Sequence, residues 1–548
     1  MKKRHRTSLR SHSRLGIAVL GLGLGACGDR PASYDAPING IRPLGLETSV
    51  ALIDDGAHRV VLLTPHADQD LERTSVGLGK GVIRADTSPD GKRLFVLSTG
   101  DLTRKKGTDE KPSLTVIEGT SARRYALESP HSGLAIDPLG RWVAIFAAPA
   151  SAGGRPQATF VENPNEIVLV DLDAPIETAV TPRTLRSFGG LPQRVSFTAP
   201  INLPGGLRRL MIVETDQDVA LLDLDNVRAT PQRPEVTVRL TSGATAQISK
   251  PGGVVVDDGE PTRNDDARIG IRLENGSNVV TLTLVPNVPD AKTDDPLQVP
   301  NDFRTVVNLS DVGGVPGDIV FVHTDVGIRL AAIVPSTRTA VLVDPETSVT
   351  TNVDLPEPYA RISLITNAVG GAAGSDTALL YGTGGSRGVA FWSLGRATGQ
   401  PYRSVEVVGL SSAIGSVLDV PPPRPELKVL ESTGGGNAFF VLNLATRTAS
   451  PLTTLGAASL VVSRDGRRLW AFQRGTSNLA QVSLADLHPI PLPLDRLIDS
   501  VFDVARPEGG RSLITIDVRG AGGATVLDAL APDTAASRSF YGFLLEDL

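Results

Sequence analysis

The chain has 548 residues and one cysteine, Cys27. A lone thiol cannot close an internal disulfide, and it leaves no ligand set for a cysteine-bound structural zinc. Aromatic side chains make up only 4% of the residues, and 54 Lys and Arg face 60 Asp and Glu, for a net charge of −6. Nucleic acid is therefore excluded as a partner, because the chain has neither a basic field to displace counterions nor a supply of rings to stack on bases. No 3.6-residue apolar period of useful length follows the N-terminal region. The apolar run Leu15–Ala26 has 12 residues. As a helix it would span ~18 Å, short of a ~30 Å hydrocarbon core, which excludes a mature transmembrane helix.

Turn formers and core formers are plentiful. The sequence has 56 glycines, 40 prolines and 41% hydrophobic residues, the composition of many short strands joined by turns. Its length exceeds what one compact core supports, so it holds either several domains or a ring of repeats.

The first 14 residues are rich in Lys and Arg and contain no acid, and the apolar run follows them directly. A basic start before a short apolar core reads as a secretory leader. The run ends Leu24-Gly25-Ala26-Cys27, which resembles the lipobox of bacterial lipoproteins. That resemblance implies cleavage before Cys27, a diacylglyceryl group on its thiol and an acylated new amino terminus. Several buried acyl chains, at ~0.8 kcal/mol per CH₂, hold a protein on a bilayer stably. Gly28, where an aspartate would signal retention, implies the outer membrane by resemblance to enterobacterial sorting. Gly23-x-Gly25-x-x-Gly28 formally matches a dinucleotide fingerprint, but no strand precedes it. Residues 28–46, rich in Pro and Gly, read as a tether. The expected organisation is a signal peptide over 1–26, lipidated Cys27 with its tether over 27–46, and a repeat domain over 47–548.

One apolar run recurs along that domain: 59–64, 113–119, 165–173, 217–225, 278–284, 339–347, 388–395, 438–444, 479–486 and 524–530. Each is rich in Val and Leu and bounded by turn residues, as strands are. A second pattern precedes several of them. Ser88-Pro89-Asp90-Gly91 is its clearest copy, Asp137–Gly140 a second and Ser463-Arg464-Asp465-Gly466 a third, with Pro507–Gly510 a looser fourth. Asp-Gly supplies a tight turn with φ > 0 and the apolar residues after it open the next strand. These units resemble the hairpins of WD40-like and YVTN-type repeats, which implies an all-β propeller of four-stranded blades. Ten units are counted. The favoured expectation is seven or eight blades plus insertions, with a larger ring, or two rings divided near 286–303, as alternatives.

Candidate chemistry is sparse. Gly384-x-Ser386-x-Gly388 matches a nucleophile elbow, yet strand-like flanks make it a hairpin turn. Asp257, Asp258, Glu260, Asp265 and Asp266 crowd one loop and are the calcium candidates, although Arg263 and Arg268 dilute them. His58, His66, His131, His323 and His488 sit in different units without metal-ligand spacing. No catalytic residue and no cofactor are assigned. The expected function is a binding scaffold at the cell envelope, held to the bilayer through acylated Cys27, with an unspecified protein, peptide or glycan as partner. The alternative is a propeller-class enzyme, either a lactonase-like hydrolase with a channel metal or a quinoprotein dehydrogenase. Only three tryptophans tell against the latter.

Overall fold

A computed structural model describes residues 42–542, apart from 104–105, 150–162, 187–189, 204–205, 230–232, 234, 243–246, 260–265, 288–300, 325–326, 366–376, 383–385, 395–404, 434–437 and 520–521. The described residues form ten four-stranded antiparallel sheets and two small hairpins. Each large sheet takes its four strands in chain order, and neighbours in sequence are neighbours in the ladder. In the fourth sheet the hairpin Ile201–Leu203 with Gly206–Arg208 is inserted between the first and second strands. The sheets are ten propeller blades, spanning 44–77, 82–126, 133–184, 192–239, 251–311, 318–354, 361–409, 414–452, 459–498 and 500–541.

Burial explains why these segments are strands. Second and third strands lie inside the blade with both faces covered. Leu210–Thr215 and Asp218–Asp223 are buried at every position, so they read as continuous apolar runs rather than alternating ones. Fourth strands form the outer edge. Thr350–Asp354 and Ser121–Ala126 each bury a single residue. All ten recurrent runs of the sequence are third strands.

The ten apolar clusters each join two adjacent blades. Ala51, Ile53 and Leu62 of blade 1 meet Leu94 and Val96 of blade 2. Phe95 and Leu97 then meet Val143 and Ile145 of blade 3, and the series continues around the ring. It closes where Val50, Leu52, Val61 and Leu63 of blade 1 pack on Val504, Ile514, Ile516 and Val526 of blade 10. Each fully buried Val, Leu or Ile contributes roughly 1.5–3 kcal/mol of transfer free energy.

The favoured count of seven or eight blades is thus corrected to ten, in one ring, which is the larger-ring alternative. Every counted unit builds its own blade, because each run has partners on both sides and none is left over as an insertion. The Pro/Asp-rich stretch 286–303 lies within a blade. It joins the third strand of blade 5, Asn278–Pro286, to the fourth, Phe303–Asp311, and these two pair over nine residues.

The Asp-Gly turns lie between first and second strands, as read. In blade 2 the Ser88 N–H donates to the Arg93 carbonyl, and the Arg93 N–H returns a bond to Ser88 Oγ at 2.9 Å. Gly91 takes φ +72° and Gly466 φ +64°. The Asp that ends several third strands caps the following turn. Asp171 Oδ1 accepts from the Asp173 N–H at 3.2 Å and Asp223 Oδ1 from the Asp225 N–H at 3.0 Å.

Candidate binding site in the channel wall

At six of the ten junctions, from blade 10 through blade 4 and from blade 5 through blade 7, the first strands of successive blades touch one another, so they form the inner wall of the ring. Near the start of four of them the register slips, at Val82/Arg84, Pro192/Arg194, Pro251/Gly253 and Ile414/Ser416. Such bulges bend the strand and re-aim the side chain that follows. In blade 4 that side chain is Arg194, which grips Glu214 on the second strand with two bonds of 2.6 Å. In blade 8 it is Ser416, whose Oγ donates to Glu431 at 2.7 Å. In blade 2 it is Arg84, paired along its own strand with Asp86 at 2.7 Å. The hydrogen bonds that Arg194 donates to Glu214 hold its guanidinium charged by raising its pKa.

Between the first strands of blades 2, 3 and 4 lies a cleft of about 400 Å³. Leu134, Ile136, Phe146 and Phe197 give it an apolar floor, and Arg84 and Arg194 stand at its sides. An apolar concavity with a few convergent polar groups is the form that ligand sites take. Two further cavities lie elsewhere. A basic pocket of about 360 Å³ between blades 8 and 9 is lined by Arg424, Arg467, Arg468, Gln481 and Ser483. A more apolar one of about 300 Å³ lies within blade 9 between Leu455, Leu479 and Pro493.

The calcium candidates do not converge. Asp257 ends the first strand of blade 5 and is buried against Arg268 at 3.4 Å and His323 at 3.4 Å. Main-chain carbonyls are what Asp258 and Asp266 contribute, to the Asn202 N–H and to Arg268. Glu260 and Asp265, like Cys27, lie outside the described residues. Among the described residues no three His, Cys, Asp or Glu side chains group as metal ligands. Ser386 is buried in the hairpin between Thr377–Tyr381 and Gly388–Ser393, with its Oγ donating to the Gly382 carbonyl at 3.2 Å.

The histidines are scattered. His66 contacts Glu508 and Glu72 at the junction of blades 1 and 10. His131 is buried, and desolvation lowers its pKa to about 4. Glu166 lies 3.3 Å from its Nε2, but that nitrogen makes no hydrogen bond and burial raises the Glu166 pKa. The two groups are close neighbours and not an ion pair, since burial without a bond favours the neutral form of both. The wall arginines were missed from sequence, because short, half-exposed first strands carry no period to mark them.

No helix among the described residues is long and apolar enough to cross a membrane. No protein-family description matches the chain, and no curated protein does. Solved structures of similar fold include a eukaryotic initiation factor, at 11% identity over 91% of this chain and 96% of that one, TM-score 0.45. They also include the dihydro-heme d1 dehydrogenase NirN in complex with DHE, at 11% identity over 83% and 74%, TM-score 0.39. A third is the Cps50 (Swd1) β-propeller domain of Myceliophteria thermophila, at 12% identity over 67% and 96%, TM-score 0.33. Likeness at this level says nothing about activity.

Proposed function

We propose that the chain is a lipid-anchored protein of the bacterial cell envelope whose ten-bladed ring is a binding scaffold, taking its ligand at the channel wall. The observation that carries the scaffold reading is the cleft across the first strands of blades 2, 3 and 4, with its apolar floor and paired arginines. The anchoring half rests on Leu24-Gly25-Ala26-Cys27 after a basic, acid-free start. Gly28 favours the outer membrane. The partner is a protein, peptide or glycan, and the ring needs no ion to stand, because each blade is buried by its neighbours.

Two measurements test this. Cys27→Ser is expected to abolish fatty-acid labelling and to release the protein from membranes or leave it as precursor; labelling that survives the substitution overturns the anchor. Melting before and after chelation is expected to be unchanged. One stoichiometric metal per chain, or a large loss of stability restored by calcium, moves the reading to an enzyme.

A further inference from the structure

Gly252 and Gly253 stand at the bulge that opens the first strand of blade 5. Opposite Gly253 in the ladder is Arg272, near the end of the second strand, Arg268–Leu273. Its side chain lies over both glycines. A Cβ at Gly252 would sit 2.7 Å from the Arg272 Nη1, and one at Gly253 would sit 3.0 Å from its Nε. Any larger residue at these positions would displace the guanidinium. The side chain therefore reaches from the second strand across the first, which is the direction of the channel.

Arg272 is partly buried, yet among the described residues it makes no ion pair or hydrogen bond. Arg194 and Arg84 on the same wall both have partners, Glu214 and Asp86. Burial lowers the Arg272 pKa, and the charges of Arg361 and Arg194 press it down further, against the pull of Asp318 and Glu274. Those two acids are engaged elsewhere. Asp318 accepts from the Ile362 N–H at 3.2 Å, and Glu274 pairs with Lys250 at 3.3 Å. A desolvated cation without a partner lowers stability. A chain folding for stability alone would hold an apolar side chain here.

We infer that Arg272, reaching across the glycine bulge of blade 5, receives an oxyanion, a carboxylate or phosphate group on the ligand that enters the channel. A guanidinium presents parallel N–H groups that match either oxyanion bidentately. The glycine pair clears the space in which that fork is displayed. This inference deepens the channel-binding reading and rests on it.

The test is thermal melting of the purified protein with inorganic phosphate or acetate titrated against chloride at constant ionic strength. A saturable rise in Tm with one of the two is expected, and which one answers separates phosphate from carboxylate. Arg272→Gln is expected to weaken that response roughly tenfold or more, the worth of a lost charged hydrogen bond. Arg272→Met is expected to melt higher than the parent in anion-free buffer, because the uncompensated charge is gone; a merely structural arginine would give a lower Tm. The inference is overturned by a flat titration with both anions, by a response that survives in Arg272→Gln, or by one that is lost only in Arg467→Gln of the pocket between blades 8 and 9. None of these outcomes alters the membrane fractionation or metal content that test the scaffold reading, so the two fail separately.

Discussion

Gly466 and Gly91 occupy the same place in two blades, and the space around them differs. Both take positive φ, where a Cβ is strained by ~1–3 kcal/mol. At Gly466 a Cβ would also collide with the Pro421 carbonyl oxygen of the preceding blade, whereas at Gly91 its nearest neighbour is the Glu47 N at 3.1 Å. Both neighbours are backbone, but at Gly466 the overlap forces the main chain apart, while at Gly91 a shift of a few tenths of an ångström relieves it. Gly466→Ala is therefore expected to lower stability by more than Gly91→Ala, by about 1 kcal/mol or more, read as the difference between two denaturant midpoints. Equal losses would show that turn strain alone matters. These glycines were legible in sequence because Asp-Gly is a local signal that needs no knowledge of neighbours. The contrast between them was not, since Pro421 lies 45 residues away.

At the scale of the strand and its turns, arginines clasp one blade to the next. Arg93 donates to the Gly140 carbonyl at 2.6 Å, and Arg468 to the Ala529 and Leu530 carbonyls at 2.6 and 2.8 Å. A buried clasp is Arg209 of blade 4 on Asp137 of blade 3, with one bond of 2.9 Å and a second, shorter one. Burial pushes the fully enclosed Asp137 carboxyl up, but Arg209 and the Leu139 and Trp142 N–H groups hold it below the ordinary range. Arg209→Met would strand that carboxylate, at a cost of about 3 kcal/mol. Chemical denaturation would read this, and Asp137→Asn in the same background should recover part of the loss. Third strands were the most legible elements, because both their faces are covered and the apolar run is unbroken. Fourth strands such as Thr350–Asp354 gave no signal, since four of their five residues face solvent. The blade count was misjudged for a related reason. Repeat number is visible in third strands, while ring size depends on how far each sheet turns against the next.

For the molecule as a whole, the seam between first and last blades is the one join that the chain does not cross. Among the described residues no strand of blade 10 enters blade 1, and the two blades meet through the apolar cluster and polar contacts. His66 sits between Glu508 and Glu72, Arg506 donates to the Ala67 carbonyl at 3.3 Å, and Arg538 pairs with Asp70 at 3.5 Å. The bond to Glu508 is the main reason the His66 pKa is raised from 6.5, and the same bond lowers Glu508 from 4.5. The histidine's share of stability is thus complete below pH 6.5 and fades as the pH climbs through its raised value, while the glutamate's share is lost on acidification below 4.5. Glu508→Gln should therefore lower Tm most near pH 5.5 (an approximate midpoint) and least above about pH 8. A pH-independent difference would mean that the pair does not fasten the seam. Nothing in sequence pointed to this contact, or to the pairing of Arg209 with Asp137. Both arise from blades brought side by side by ring closure, while period and spacing report only what is near along the chain.

The missing strand exchange also sets the order of events in folding. Each blade can form its ladders as soon as its own four strands have emerged, and nine junctions can then assemble in sequence. The tenth cannot. Val50, Leu52, Val61 and Leu63 must wait for a partner face made last, and the contact between His66 and Glu508 spans 442 residues. Through nearly all of synthesis the nascent chain is an open arc with an uncovered apolar flank at each end. Such flanks are the surfaces that holdase chaperones bind and that wrongly paired chains share.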